Sequence, residues 1–299
     1  MKHSFTSNSR SGFTLIEMLV VITIMGILMS LLMPAINGIR NNARHTQCVN
    51  NMKQVSTAVY DYNAHNLKYP YYREKFSDVN SNWIISILQS LGERAMAEAW
   101  TNNGEINQKT GNISCLRCPA NPLIAKPTNG IYANSYVANC GLEGMTDKNN
   151  MADCGVFVDG TTGQRVQRNS LERIASLDGT SYTVAVAENN QAGVWVSESA
   201  VAATEPYQIG VMWVKSPSDC HQFNRCNNVT TISAEYARPS SHHEGGANIA
   251  FCDNHVSFVN NSISYTTYCQ IMAPNDAKAA SISGKSELTD PLKTTEVGP

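Results

Sequence analysis

The feature that most constrains this chain is the stretch RSGFTLIEMLVVITIMGILMSLLMPAI at residues 10–36. From Phe13 to Ile39 the only charged residue is Glu17. At ~1.5 Å per residue a helix over that run spans about 40 Å, more than the ~30 Å hydrocarbon core of a bilayer. A cleaved secretory signal fits poorly, because its apolar region is roughly 7–15 residues long, carries no acid and ends at a small-residue cleavage site. A carboxylate deep in lipid costs about 2.5–3.5 kcal/mol even on the gentler insertion scales. A plain single-pass anchor therefore leaves Glu17 unexplained, and the acid needs a partner.

The rest of the chain reads as exported. Of 299 residues only 15% are charged, against about 25% in typical soluble domains. The net charge of −2 offers nothing to a nucleic acid. Nine cysteines are more easily explained by an oxidising compartment than by the cytosol. Neighbours in sequence give the candidate pairs Cys115/Cys118, Cys140/Cys154 and Cys220/Cys226, although eight paired cysteines allow 105 connectivities.

Beyond Pro34, residues Val49, Met52, Val55, Val59 and Tyr62 recur at spacings of three and four, which predicts an amphipathic stalk helix ending near Tyr69-Pro70. Pro34 and Gly38 predict a bend or a locally melted turn between the two halves. Residues 83–100 read as one or two short helices, and 181–188, 193–197 and 210–215 as strands. In GGANIAFCDNHVSFV (245–259) a two-residue turn at Asp253-Asn254 would pair Phe251 with Val256 and Ile249 with Phe258. That register puts Ile249, Phe251, Val256 and Phe258 on one face and Cys252, His255 and Ser257 on the other. From residue 276 onward little is available to bury, and a flexible tail is expected. The expected organisation is a leader (1–12), an apolar helix (13–36), a stalk helix (37–66), an α+β domain rich in antiparallel strands (67–275) and the tail (276–299).

The residues GFTLIEMLVVITIMGIL resemble the N-terminus of type IV prepilins and type II secretion pseudopilins: a short polar, basic leader ending in Gly12, then Phe13, Thr14, Leu15, Ile16 and Glu17, with Pro34 further along. The resemblance implies cleavage between Gly12 and Phe13 by a prepilin peptidase and N-methylation of Phe13. It also implies a partner for Glu17, the new amino group of a neighbouring subunit. It further implies a single-pass inner-membrane protein, leader in the cytoplasm and body outside, held in lipid until the assembly machinery moves it among like subunits in a filament. The arginines alone do not settle orientation, since Lys2 and Arg10 precede the segment and Arg40 and Arg44 follow it.

Other stretches resemble a family of prepilin-like proteins whose globular domain has no assigned activity. CVNNMKQ (48–54) is similar to its stalk motif, Cys118-Pro119 to its Cys-Pro element and Asp178-Gly179-x-Ser181 to its Asp-Gly-x-Ser element. His243, Gly245, Gly246, Asn248, Phe251 and Asp253 match its C-terminal signature. Two positions depart from that pattern: His255 follows the turn, and Glu244 stands where proline is common.

Little else points to chemistry. His243, Cys252 and His255 are candidate zinc ligands by residue type, but HHEGG lacks the spacing and helix of zinc proteases. Cys115-x-x-Cys118 has zinc-knuckle spacing without a second pair. Residues 146–160 are rich in Asp and Asn and are a candidate calcium loop, without the spacing of one. There is no nucleophile elbow, phosphate loop or dinucleotide fingerprint. The chain reads as a structural subunit, neither an enzyme nor a cofactor carrier; the alternative is a membrane-anchored ligand- or metal-binding protein that forms no filament.

Overall fold

The computed structural model describes residues 13–76, 79–103, 113–121, 134–161, 166–193, 195, 209–218, 221–224 and 236–297. The chain divides into two compact units, Met1–Ala43 and Arg44–Pro299. The described part of the first is the N-terminal portion of helix α1 (Leu15–Asn66). Its apolar side chains are exposed, and an 18-residue window of α1 has a mean hydropathy of 2.5, enough in length and composition to cross a membrane. A locally melted turn does not occur: α1 runs through Pro34 and Gly38 as one 52-residue helix. Proline removes a single backbone donor, and the hydrogen-bonded turns on either side carry the helix across it.

The second unit is α+β. A five-stranded sheet has the order β5-β3-β4-β6-β7, with β3 Tyr136–Leu142, β4 Val184–Glu188, β5 Gly210–Trp213, β6 Gly246–Phe251 and β7 Val256–Asn260. All neighbours are antiparallel except β3 and β5. A separate hairpin, β1 (Arg73–Phe76) with β2 (Val79–Asn82), leads into α2 (Trp83–Ile87) and α3 (Arg94–Asn103). Asn82 caps α2 by accepting hydrogen bonds from the Ile84 and Ile85 backbone. Two short helices, α4 (Met151–Cys154) and α5 (Leu171–Ala175), lie between β3 and β4 along the chain.

The sheet is buried on both faces, which is why its central strands carry small and apolar residues at nearly every position. On one face Tyr136, Ala138, Val186 and Ala250 meet Cys48, Met52, Val55 and Val59 of α1. On the other, Val137, Ala187, Ile249 and Phe251 meet α6 (Tyr265–Met272) and the C-terminal segment. Of the stalk stripe, Met52, Val55 and Val59 are buried and Val49 and Tyr62 half-buried, while Cys48 and Asn63 beside those two are buried as well.

Two further sequence expectations change. The hairpin register is shifted by one: Ile249 faces Ser257 and Ala250 faces Val256. The loop has three residues, closed by Phe251 N donating to His255 O and Asn254 N to Phe251 O, with Asn254 left-handed at φ 72. This is a type I turn followed by a left-handed residue, and it sends Val256 and Phe258 to the face opposite Ile249 and Phe251. The segment expected as a tail is folded onto the domain. Residues Asp276–Ser283 form α7 and Thr294–Val297 form α8. Ala279 and Leu288 are fully buried, and Val297 nearly so. Few apolar residues are present there, but these three are used, and Asn275 and left-handed Gly284 cap α7 at its two ends. The strand expected at 193–197 falls mostly outside the described residues.

Candidate functional site

Four stretches that are far apart in sequence meet between α1 and the sheet. Cys48, on the buried stripe of α1, is disulfide-bonded to Cys118, with a Cα–Cα distance of 4.9 Å. Around the bridge, Tyr136 Oη donates to Cys48 O (3.0 Å), Asn51 Nδ2 to Arg117 O (2.8 Å) and Cys118 N to Ser135 Oγ (2.8 Å). Next to Cys118 stands His243, its Nε2 3.6 Å from the Cys118 Sγ and 3.4 Å from Glu188 Oε1. Glu188 closes β4, is 2% exposed and receives hydrogen bonds on Oε2 from both the backbone and the side-chain nitrogen of Asn248 (3.0 Å each). Its Oε1 is buried with no hydrogen-bond partner. Asn248 Oδ1 lies 3.1 Å from His45 Nε2, and the His45 and His243 rings are 4.5 Å apart.

The local sequence explains this placement. Ser241 Oγ accepts from His243 N (3.0 Å) and donates to Gly246 O (2.6 Å), so the loop before β6 is folded back and aims His243 inward. Gly245 is left-handed at φ 86. At Gly246 a Cβ would lie 2.1 Å from Val259 O and 2.8 Å from the Phe258 ring, so only glycine lets β7 approach.

A second cluster ties the turn of the β6–β7 hairpin to its surroundings. Asp253 Oδ1 accepts from His255 N (3.0 Å) and lies 2.6 Å from His255 Nδ1, while Asp253 N donates to Thr180 O (3.2 Å). Burial would raise the Asp253 carboxyl, but hydrogen bonds from His255 and Ser181 bring it below its ordinary value. Asn254 meets Thr57 of α1, and Lys53 Nζ donates to Asn254 O. Asp178 Oδ2 accepts from Asp276 N (2.6 Å), joining the Asp-Gly element to the start of α7.

The candidate ligand set is therefore redrawn. Cys252 and His255 do not join His243: the His255 ring stacks on Phe251 at 4.3 Å, and Cys252 is buried in the core. Instead Cys48, Cys118, Glu188 and His243 have donor atoms that all lie within 4.8 Å of one another. Sequence reasoning does not single out Glu188 or His45; the one signal for Glu188 is an acid ending the apolar strand VAVAE. The disulfide expectation is corrected too, since Cys118 pairs with Cys48 and leaves Cys115 a free thiol. Cys140 and Cys154 are also free, because Cys140 packs on the α1 side of the sheet and Cys154 in the opposite core. Cys220, Cys226 and Gly12 lie outside the described residues.

Two acids of the 146–160 loop, Asp153 and Asp159, are paired with arginines. Asp159 accepts from Arg73 (2.6 Å) and Thr161, and Asp153 pairs with Arg173. Burial would raise the Asp159 carboxyl, but the hydrogen bonds from Arg73 and Thr161 and the arginine charge hold it below its ordinary value. The third acid of the loop, Asp147, accepts from Asn149 N (3.0 Å) and Asn150 Nδ2.

At the N-terminus, Phe13 is exposed and Glu17 sits three residues after Thr14. Glu17 Oε2 accepts from Thr14 N (2.8 Å) and Thr14 Oγ1 (2.7 Å), and Glu17 N donates to Thr14 Oγ1 (3.3 Å). This is a reciprocal capping box, written in the sequence as Thr-x-x-Glu.

An apolar N-terminal helix bearing one acid, continued as a stalk on an α+β domain, defines a prepilin-like protein. The chain belongs to the family described as protein of unknown function DUF1559, which matches residues 38–265. The prokaryotic N-terminal methylation motif matches residues 7–33. The type II secretion system core protein G of Klebsiella michiganensis is 40% identical over 62 residues, which is 21% of this chain and 44% of that protein. The similarity therefore spans less than half of the relative's length. No solved structure matches.

Proposed function

We propose that this chain is a structural subunit of a type IV pilus or type II secretion pseudopilus, and a specialised or minor one. A prepilin peptidase removes residues 1–12 and methylates Phe13. The helix at 13–36 holds the subunit in the inner membrane, with the leader inside and the domain outside, and then packs in the filament core. The role is assembly rather than catalysis, with the leader, apolar helix and stalk as expected from the sequence and the α+β domain extended to include the C-terminal segment. The observation that carries this reading is Glu17, one carboxylate on an otherwise uncharged helix. Among the described residues it is satisfied only locally, by Thr14. An intersubunit amine would neutralise it where the capping box cannot.

The test is the mass of the N-terminal peptide from membranes and from sheared filaments. N-methyl-Phe13 in the filament fraction is expected, and Glu17→Ala should abolish incorporation while leaving cleavage intact. An N-terminus at Met1, found in membranes alone, would make the segment a plain anchor. Normal incorporation of Glu17→Ala would remove the assembly role of the acid.

A further inference from the structure

We infer that Cys48, Cys118, Glu188 and His243 form a zinc site that is closed when the two cysteines are joined and open when they are reduced. Such a site does not depend on filament assembly.

Three observations support it. First, the donor set is two sulfurs, one imidazole nitrogen and one carboxylate oxygen, all within 4.8 Å of one another. Zinc takes such sets tetrahedrally. With Zn–S of ~2.3 Å and Zn–N or Zn–O of ~2.05 Å, the edges of the tetrahedron are about 3.5 Å from S to N and about 3.3 Å from N to O. The structure has 3.6 Å from Cys118 Sγ to His243 Nε2 and 3.4 Å from His243 Nε2 to Glu188 Oε1. Two edges of the coordination figure are thus already set.

Second, Glu188 Oε1 is a carboxylate oxygen without a hydrogen-bond partner in a residue that is 2% exposed. A buried oxygen of this kind is costly unless something pairs with it, and it lies beside His243 Nε2. Third, the supporting contacts that metal sites use are present. Asn248 fixes the other carboxylate oxygen through two hydrogen bonds, and Ser241 fixes the backbone of His243.

The redox step balances with a dithiol as reductant. The dithiol gives two electrons and two protons to the Cys48–Cys118 bridge and becomes a disulfide itself. Zinc then displaces the two thiol protons to water as it binds both thiolates. Burial raises the other described thiols, Cys115 and Cys140 as well as Cys154, Cys252 and Cys269, the last three to about 12, and thiolate, not thiol, is the ligand.

The test uses the full chain in detergent, either oxidised or treated with dithiothreitol and desalted without oxygen. Zinc retained after a second desalting is measured by elemental analysis, and cobalt(II) replaces zinc for absorption spectra. The reduced chain should hold about one zinc, and with cobalt show the intense visible bands of a tetrahedral ion together with thiolate charge transfer in the near ultraviolet. The oxidised chain should hold none. Cys48→Ser with Cys118→Ser should remove stoichiometric binding, and Glu188→Gln and His243→Asn should each weaken it at least tenfold. Circular dichroism of every variant, and the conservative pair Glu188→Gln and His243→Asn, separate lost ligands from lost fold. Equal zinc in the oxidised chain, full zinc in the double serine variant, or a folded reduced chain that retains none would each overturn the site.

Discussion

Gly246 shows how one residue can be fixed by its neighbours. Its Cβ position is occupied by Val259 O and the edge of the Phe258 ring, and the strands pair from Gly246 opposite Asn260. Gly246→Ala must push β7 away or break that first pair. An overpacked site of this kind costs about 1–3 kcal/mol, and thermal unfolding of the full chain in detergent should show a lower midpoint by several degrees. An unchanged midpoint would mean that β7 yields freely. The two departures from the family pattern are accommodated at the same scale. Glu244 is exposed, and His255 is occupied by Asp253 and by stacking on Phe251. Signature positions in this chain thus act on one another and on their neighbours: His243 and Asn248 on Glu188, Asp253 on Ser181, and Cys48 on Cys118.

Among the elements, the C-terminal segment departs most from its reading as a tail. Leu288 is fully buried against α6, and Gln270 Nε2 donates to Leu288 O (3.2 Å) and Asp290 O (2.7 Å). Leu288→Ala should therefore cost about 2–5 kcal/mol, read as a lower denaturant midpoint, where a flexible tail would give no change. The apolar helix, the stalk stripe and strands β4 to β7 are legible in the sequence, because each carries periodicity or an unbroken apolar run. Strand β3 is not, because Asn139 interrupts the pattern. That asparagine is buried, and its Nδ2 donates to Val184 O (2.8 Å) and Met272 O (2.7 Å), a tertiary reason that local reading cannot supply. Nor is the polar hairpin β1–β2, whose strands REKF and VNSN lack alternation. The site is legible in its parts: His243 and Asn248 stand out by motif and Cys118 by Cys-Pro. The partner of Cys118 lies 70 residues away on a helix, so the assembly itself is not legible.

For the molecule as a whole, one carboxyl should make its own contribution to the pH dependence of stability. Burial, with a smaller effect from the Asp178 charge, pushes Asp276 up to about 8 from an ordinary value of 3.8. An acid whose folded value lies above its unfolded one costs nothing when both states are protonated, and destabilises the fold increasingly as pH rises between the two values. Unfolding midpoints should fall from pH 4 to pH 8 by this contribution and level off above it. Asp276→Asn keeps the backbone donor to Asp178 and should flatten that slope, with its largest stabilisation above pH 8. A parallel pH profile for parent and variant would remove Asp276 as the source. The covalent bridge matters to the whole molecule in another way. Cys48 is the first fully buried residue met along α1 from its N-terminal end, and it is bonded to Cys118, in the segment whose backbone meets Ser135 just before β3. A pull transmitted down the helix therefore arrives at a covalent tether before it reaches any of the apolar contacts behind it. While the bridge is intact it carries that load, and the contacts behind it are shielded from being peeled away one turn at a time.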